Sequence, residues 1–319
     1  MKQHRIIRFS GLFLLLGVLF GLAACNDWTE MEAVDNNVKK PWEQDPALWA
    51  EYTAALRDYK KSEHFIVYAR LHNSPEPAAS EKDFMRCLPD SLDIVALTNA
   101  DNFSRYDAED MAVMREKGTK VLWQVDYAGR AAEFADAAKL GAWLDRVVSS
   151  VAANGMDGYS FTGIPNAGDP AAVQAAALIV SKLSADESKL LVFEGNPLFV
   201  AEADRAKVDY FILDTEKTED VGDVKLQILN ATGYAAVPAS KLLLAAEAGA
   251  PLKDEDRVEY AAVEEMSRRV IAYGPLCGLG AYNIGNDYYN ADMNYKMIRQ
   301  AIQTLNPSGY LEGLSGWMA

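Results

Sequence analysis

Eight short apolar segments recur along this chain, each separated from the next by a longer stretch of mixed character. They are HFIVYARL (64–71), SLDIVALT (91–98), KVLWQVDY (120–127), GYSFTGI (158–164), KLLVFEG (189–195), DYFILDT (209–215), KLLLAAEAG (241–249) and GLGAYNIG (278–285). Short apolar runs bounded by turn residues read as strands, most of them covered on both faces. The intervening stretches predict helices over 106–118, 130–155, 169–184, 254–274 and 294–306, with a shorter helical stretch around 80–86. Gly118 closes the first of these, and Asp169 followed by Pro170 opens the third. Leu48, Trp49, Tyr52, Leu56 and Tyr59 fall near helical spacing, which predicts one more helix over 47–62. Strands alternating with helices give a parallel sheet, and about eight such units across roughly 250 residues match a closed (β/α)8 TIM barrel. The expected domain spans 47–319. An open doubly wound sheet is the rival, but no glycine-rich phosphate turn follows the first strand.

The N-terminus changes the picture. Lys2, Arg5 and Arg8 precede the apolar run GLFLLLGVLFGLAAC, the pattern of an export signal over residues 1–24. Leu22-Ala23-Ala24-Cys25 looks like a bacterial lipobox, which implies cleavage before Cys25 and its acylation. Residues 25–46 are polar, carry Pro41 and Pro46, and read as a tether. The expectation is a protein lipid-anchored to the outer membrane, facing the cell surface, touching the bilayer through the anchor alone. Two cysteines remain in the mature chain, Cys87 and Cys277; they read as free buried thiols rather than a bridge.

Half the residues are apolar, enough for a large core. The net charge is −15, and loss of the three basic residues of the leader takes it to −18. Phosphates would be repelled, so a nucleic-acid partner is excluded. Three histidines and no His/Cys cluster at ligand spacing argue against a metal site, and no cofactor motif appears.

The functional face of such a barrel is the C-terminal end of its strands. Arg70, His72, Asn99, Asp126, Tyr127, Glu194, Asn196, Asp214, Glu216, Glu247, Tyr282 and Asn283 fall there. Sugars are held by aromatic platforms and planar polar groups, so Trp123, Asp126, Tyr127, Asn196, Tyr282 and Asn283 are the candidate glycan-binding residues. On strand four Ser160, Thr162 and Ile164 share one parity, expected to face the cavity, and none of them ionises.

Several stretches in order, YKKSEHFIVYARL, LPDSLDIVALT with KGTKVLWQV, NGMDGYSF and GAYNIGNDYYN…NYKMIRQAIQTLNP, resemble family 18 glycoside hydrolases of gut Bacteroidetes, particularly lipoproteins related to endo-β-N-acetylglucosaminidases. The resemblance implies an Asp-x-x-Asp-x-Asp-x-Glu motif on strand four. Its first position is Asp157; the others fall on Ser160, Thr162 and Ile164, so the motif is degenerate and no catalytic residue is assigned. A Gln-x-Tyr expected at the sixth strand is replaced by Asp214-Thr215-Glu216. The resemblance therefore implies a catalytically inactive barrel that binds N-acetylglucosamine-containing or N-linked glycans and serves an outer-membrane uptake complex. The alternative is an active hydrolase, of endo-β-N-acetylglucosaminidase or chitinase type, with relocated acids among Glu194, Asp214, Glu216 and Glu247. A lipoprotein without ligand is the third reading.

Overall fold

The computed structural model describes residues 39–307. The expected leader, the acylated Cys25 and most of the tether lie outside the described residues. The chain divides into a unit up to Trp49 and a unit from Ala50 onward. In the first, Pro41–Gln44 forms a helical turn and the rings of Trp42 and Trp49 lie 5.8 Å apart.

The second unit is a closed barrel of eight parallel strands: β1 (Ile66–Leu71), β2 (Ile94–Leu97), β3 (Lys120–Val125), β4 (Gly158–Gly163), β5 (Leu190–Gly195), β6 (Tyr210–Leu213), β7 (Leu242–Glu247) and β10 (Gly278–Tyr282). β10 closes the ring against β1. All eight predicted strands are present, with ends trimmed by up to three residues. Helices Arg105–Lys117, Ala137–Asn154, Pro170–Leu183, Val221–Leu229, Ala262–Ala272 and Lys296–Leu305 alternate with them. The predicted N-terminal helix runs from Pro46 to Lys61. Within the barrel unit its Lys60 ammonium donates to the Leu92 carbonyl and the Thr119 hydroxyl, each at 2.7 Å. Burial pulls that lysine's pKa down to about 8.

The structure departs from the predicted elements at three places. The segment 254–274, read as one helix, opens with a hairpin, β8 (Pro251–Lys253) and β9 (Glu259–Ala261), before the helix at Ala262. The Asp254 carboxylate accepts the backbone N–H groups of Asp256 and Val258, and this local turn outcompetes the helix. Helix Val221–Leu229 was not predicted; Asp220 caps it by accepting from Gly222 and Asp223. The predicted helix 130–155 is broken into short turns and a helix that starts after Asp136, whose side chain caps it. Cys87 and Cys277 are free and half-buried.

Side chains alternate strictly along each strand. One set, including Ile94, Leu122, Val192, Ile212 and Leu243, fills the barrel, and the other packs beneath the helices. Tyr68 is among the largest fully buried side chains of the described residues and belongs to the inner set. Its neighbour in register on β10 is Gly280, where a Cβ would meet Ile212 Cγ2 at 2.9 Å and Tyr68 Cδ1 at 3.6 Å. The absent side chain makes room for the tyrosine. Gly280→Val should therefore overpack this layer and lower stability by about 1–3 kcal/mol in denaturant unfolding; unchanged stability would mean that the layer has slack.

Candidate functional site

The barrel mouth is organised around Glu194, near the end of β5 and 2% exposed. Three donors from two other strands converge on its carboxylate. Arg70 Nε reaches Oε2 at 2.6 Å, while the Tyr68 hydroxyl and Gln124 Nε2 reach Oε1 at 2.8 and 3.1 Å. Burial alone would push this carboxyl pKa up; the Arg70 charge and the converging hydrogen bonds outweigh it and hold the group below its ordinary value. Glu194 is thus an ionised acceptor, unsuited to donating a proton. The Arg70 guanidinium also lies over the ring of Tyr282, 3.6 Å from its centroid. The aromatic expected to carry a sugar is covered by this cation and is only 3% exposed.

Strand four carries hydroxyls at the same level. Ser160 is fully buried inside the barrel, with its hydroxyl beside that of Tyr68. The Thr162 hydroxyl donates to Asp126 Oδ1 at 2.8 Å and accepts the Ala128 N–H at 2.9 Å. Asp126 in turn caps the short helical turn after β3, accepting from Gly129. Both residues therefore fasten a loop. Asp157 lies just before β4, at the opposite end of the barrel, where it accepts from the Val121 N–H and the Lys120 ammonium. Ile164 corrects the parity argument. β4 ends at Gly163, and Ile164 is 70% exposed instead of facing the cavity. It lines a separate cleft of about 290 Å3 with Tyr127, Phe134, Asn166 and Asp169.

The remaining candidates divide sharply. Trp123 is contradicted as a glycan contact: Leu122 and Gln124 take the inward parity, and Trp123 is buried in the outer core under the helices. Tyr127 is largely buried against Phe199, with ring centroids 5.8 Å apart. Asn196 is exposed and caps its own turn by accepting from Leu198. Asn283, in a left-handed conformation, donates to Glu247 Oε1 at 2.7 Å. His72 is exposed beside Thr98, and Asn99 bonds Asn73 and Asn102. Asp214 is exposed at the end of β6.

Glu216 differs from the other acids. One carboxylate oxygen is buried without a hydrogen-bond partner among the described residues. Burial raises its pKa, assisted by the nearby Asp214 charge and opposed by Arg70. The sequence reading assigned no role to Tyr68 and Gln124, although strict alternation on β1 and β3 places both inside. Among the described residues no three His, Cys, Asp or Glu side chains are grouped to hold a metal ion.

The fold has known counterparts. Residues 29–139 match the family model described as glycoside hydrolase family 18, BT1044-like. Over that third of the sequence the chain is similar to glycoside hydrolase family 18. A solved BT1044 variant is 18% identical and covers 84% of this chain and 96% of its own, with a TM-score of 0.67. An endo-β-N-acetylglucosaminidase from Cordyceps militaris is 18% identical over 81% of this chain and 96% of its own, at 0.59. A chitinase from Bacteroides thetaiotaomicron is 11% identical over 78% and 98%, at 0.60. No curated protein matches the sequence. At these identities the solved structures establish the shared (β/α)8 fold.

Substituting Glu194→Gln leaves the half-buried Arg70 without its counter-charge, which should cost about 1–3 kcal/mol near neutral pH. The folded pKa of Glu194 is depressed, so its contribution is present above the unfolded value of roughly 4.3 and is lost as pH falls through the folded value. Unfolding measured against pH should show the gap between wild type and Glu194→Gln narrowing on acidification below that value. A gap constant with pH would contradict an ionised Glu194.

Proposed function

We propose that this chain is a lipid-anchored, surface-displayed glycan-binding protein whose family 18-like barrel holds N-acetylglucosamine-containing glycans without cleaving them. It would present them to an outer-membrane uptake system. The observation that carries this reading is the state of the barrel's polar centre. The buried carboxylate is ionised and saturated by Arg70, Tyr68 and Gln124, and the adjoining strand offers Ser160 and Thr162. Glycosidic cleavage needs a protonated donor at the leaving oxygen, and neither group can serve. The class of ligand is supported by a structural neighbour, a Cordyceps militaris endo-β-N-acetylglucosaminidase variant described in complex with fucosyl-N-acetylglucosamine-Asn. Anchoring rests on the Leu22-Ala23-Ala24-Cys25 sequence.

One observation favours hydrolysis instead. Glu216 has a raised pKa and an unpartnered oxygen, as a relocated acid would. With the substrate's own acetamide as nucleophile it would still need a second group to orient that acetamide, and Glu194 is committed to Arg70.

Incubation with a chitobiose-core glycan should show saturable binding, with the ligand mass unchanged after long exposure. Cleavage that disappears in Glu216→Gln would replace the binding reading with the hydrolytic one, since a general acid contributes about 10²–10⁴-fold. Absence of binding to any such glycan at millimolar concentration would overturn it. In the native host, Cys25→Ser should abolish fatty-acid labelling and release the protein from the membrane fraction; retention of both would refute the anchor.

A further inference from the structure

The end of the barrel away from the mouth holds a second buried ion pair. His64 lies in the short link between the helix Pro46–Lys61 and β1, and Asp93 stands just before β2. Their side chains are 5% and 7% exposed. Nε2 of the ring sits 3.0 Å from Asp93 Oδ1, and Nδ1 sits 2.8 Å from the Ser62 carbonyl oxygen. The other carboxylate oxygen of Asp93 accepts the Val67 N–H at 2.8 Å. The Asp93 backbone is committed as well: its N–H donates to the Val67 carbonyl, and its carbonyl accepts from Lys120 at the start of β3. Asp93 therefore ties β1 to β3 across the start of β2, and His64 ties the incoming link to Asp93.

Counting donors fixes the state of the ring. A carbonyl oxygen and an ionised carboxylate only accept hydrogen bonds, and a neutral imidazole carries a single N–H. Both contacts are made at once only by the doubly protonated ring. The surrounding groups agree. Burial pulls the His64 pKa down and Lys60 opposes the charge, but the hydrogen bond and charge of Asp93 and the Ser62 carbonyl outweigh them and leave it above its ordinary value. The Tyr59 ring packs 4.5 Å from the imidazole. Cys277 and Tyr210, beside the starts of β10 and β6, lie in the field of the same carboxylate.

We propose that His64 and Asp93 form a pH-sensitive clamp on the floor of the barrel: the charged ring fastens the link from the N-terminal helix to the first strands, and loss of its proton releases one of its two contacts. The strand it anchors is the one that carries Tyr68 and Arg70 to Glu194. The folded pKa is raised, so the stabilisation is fully present below the unfolded value of roughly 6.5 and is lost as pH rises through the folded value. Lys60 acts in the opposite sense, because burial lowers its pKa to about 8 and the cost of its charge disappears above that value. Wild type and His64→Gln share Lys60, so the difference between them at each pH isolates the clamp.

The test is NMR of the nitrogen-15-labelled protein. Long-range proton–nitrogen correlation reads the protonation of each ring nitrogen, and His64 is assigned by difference with His4→Gln and His72→Gln, so this part does not depend on a variant at the clamp. Both His64 nitrogens should be protonated at neutral pH and titrate together in alkali. Exchange of the Val67 N–H, corrected for its intrinsic pH dependence, reads the clamp itself. At about pH 6 its protection in wild type should exceed that in His64→Gln by about tenfold, the measure of one hydrogen bond to a charged group, and the gap should close as the ring titrates. A ring with one protonated nitrogen at neutral pH overturns the inference. A ring that stays charged until the chain unfolds overturns the switch. A protection gap that ignores the titration of the ring overturns the clamp.

Discussion

The buried contact between Arg70 and Glu194 constrains everything at the mouth of this barrel. Two charges are taken from water into a nearly closed interior, and each would be strongly unfavourable alone. Together, at 2.6 Å and supported by Tyr68 and Gln124, they are mutually compensated. The pair has a steric cost as well as an electrostatic one. A tyrosine and an arginine from the same strand reach across the barrel, and the neighbouring strands make room with Ala96 beside Arg70 and Gly280 beside Tyr68. The guanidinium then settles on Tyr282, so the aromatic floor that a sugar would meet becomes a cationic one.

Chemistry follows from that arrangement. A general acid needs a carboxyl whose surroundings favour the proton; the field at Glu194 favours the anion. Strand four meanwhile does mechanical work. Through Thr162 it holds Asp126 and Ala128, and through them the loop after β3. The electrostatics at Glu194, more than the identity of any one strand-four residue, set the character of the barrel's polar centre.

Much of this was legible in the chain. The strands announced themselves because apolar runs bounded by turn residues have few other solutions, and their number fixed the barrel. The hairpin at 251–261 was hidden because Glu, Arg and Ala suit helices, while a single Asp254 carboxylate redirected the backbone. Trp123 was misplaced by its chemistry: an indole near a sugar site is an attractive idea, but parity with Leu122 and Gln124 sends it outward. Ile164 was misplaced because alternation predicts direction only while a strand lasts, and β4 stops one residue earlier. Glu194 was recognised as a mouth acid, yet its role was not, because its partner Arg70 lies 124 residues away in sequence. No local pattern encodes a contact across a barrel.

The account therefore turns on the protonation state of one carboxylate. Carbon-13 NMR of protein labelled at glutamate side-chain carboxyls, assigned with Glu194→Gln and titrated from mildly acidic to neutral pH, reads it directly. The account predicts a Glu194 signal that stays at the ionised shift throughout that range and moves only at pH below the ordinary glutamate pKa. A signal that titrates near neutrality would show a carboxyl able to hold a proton, and would contradict the claim that the centre of this barrel is sealed against acid catalysis.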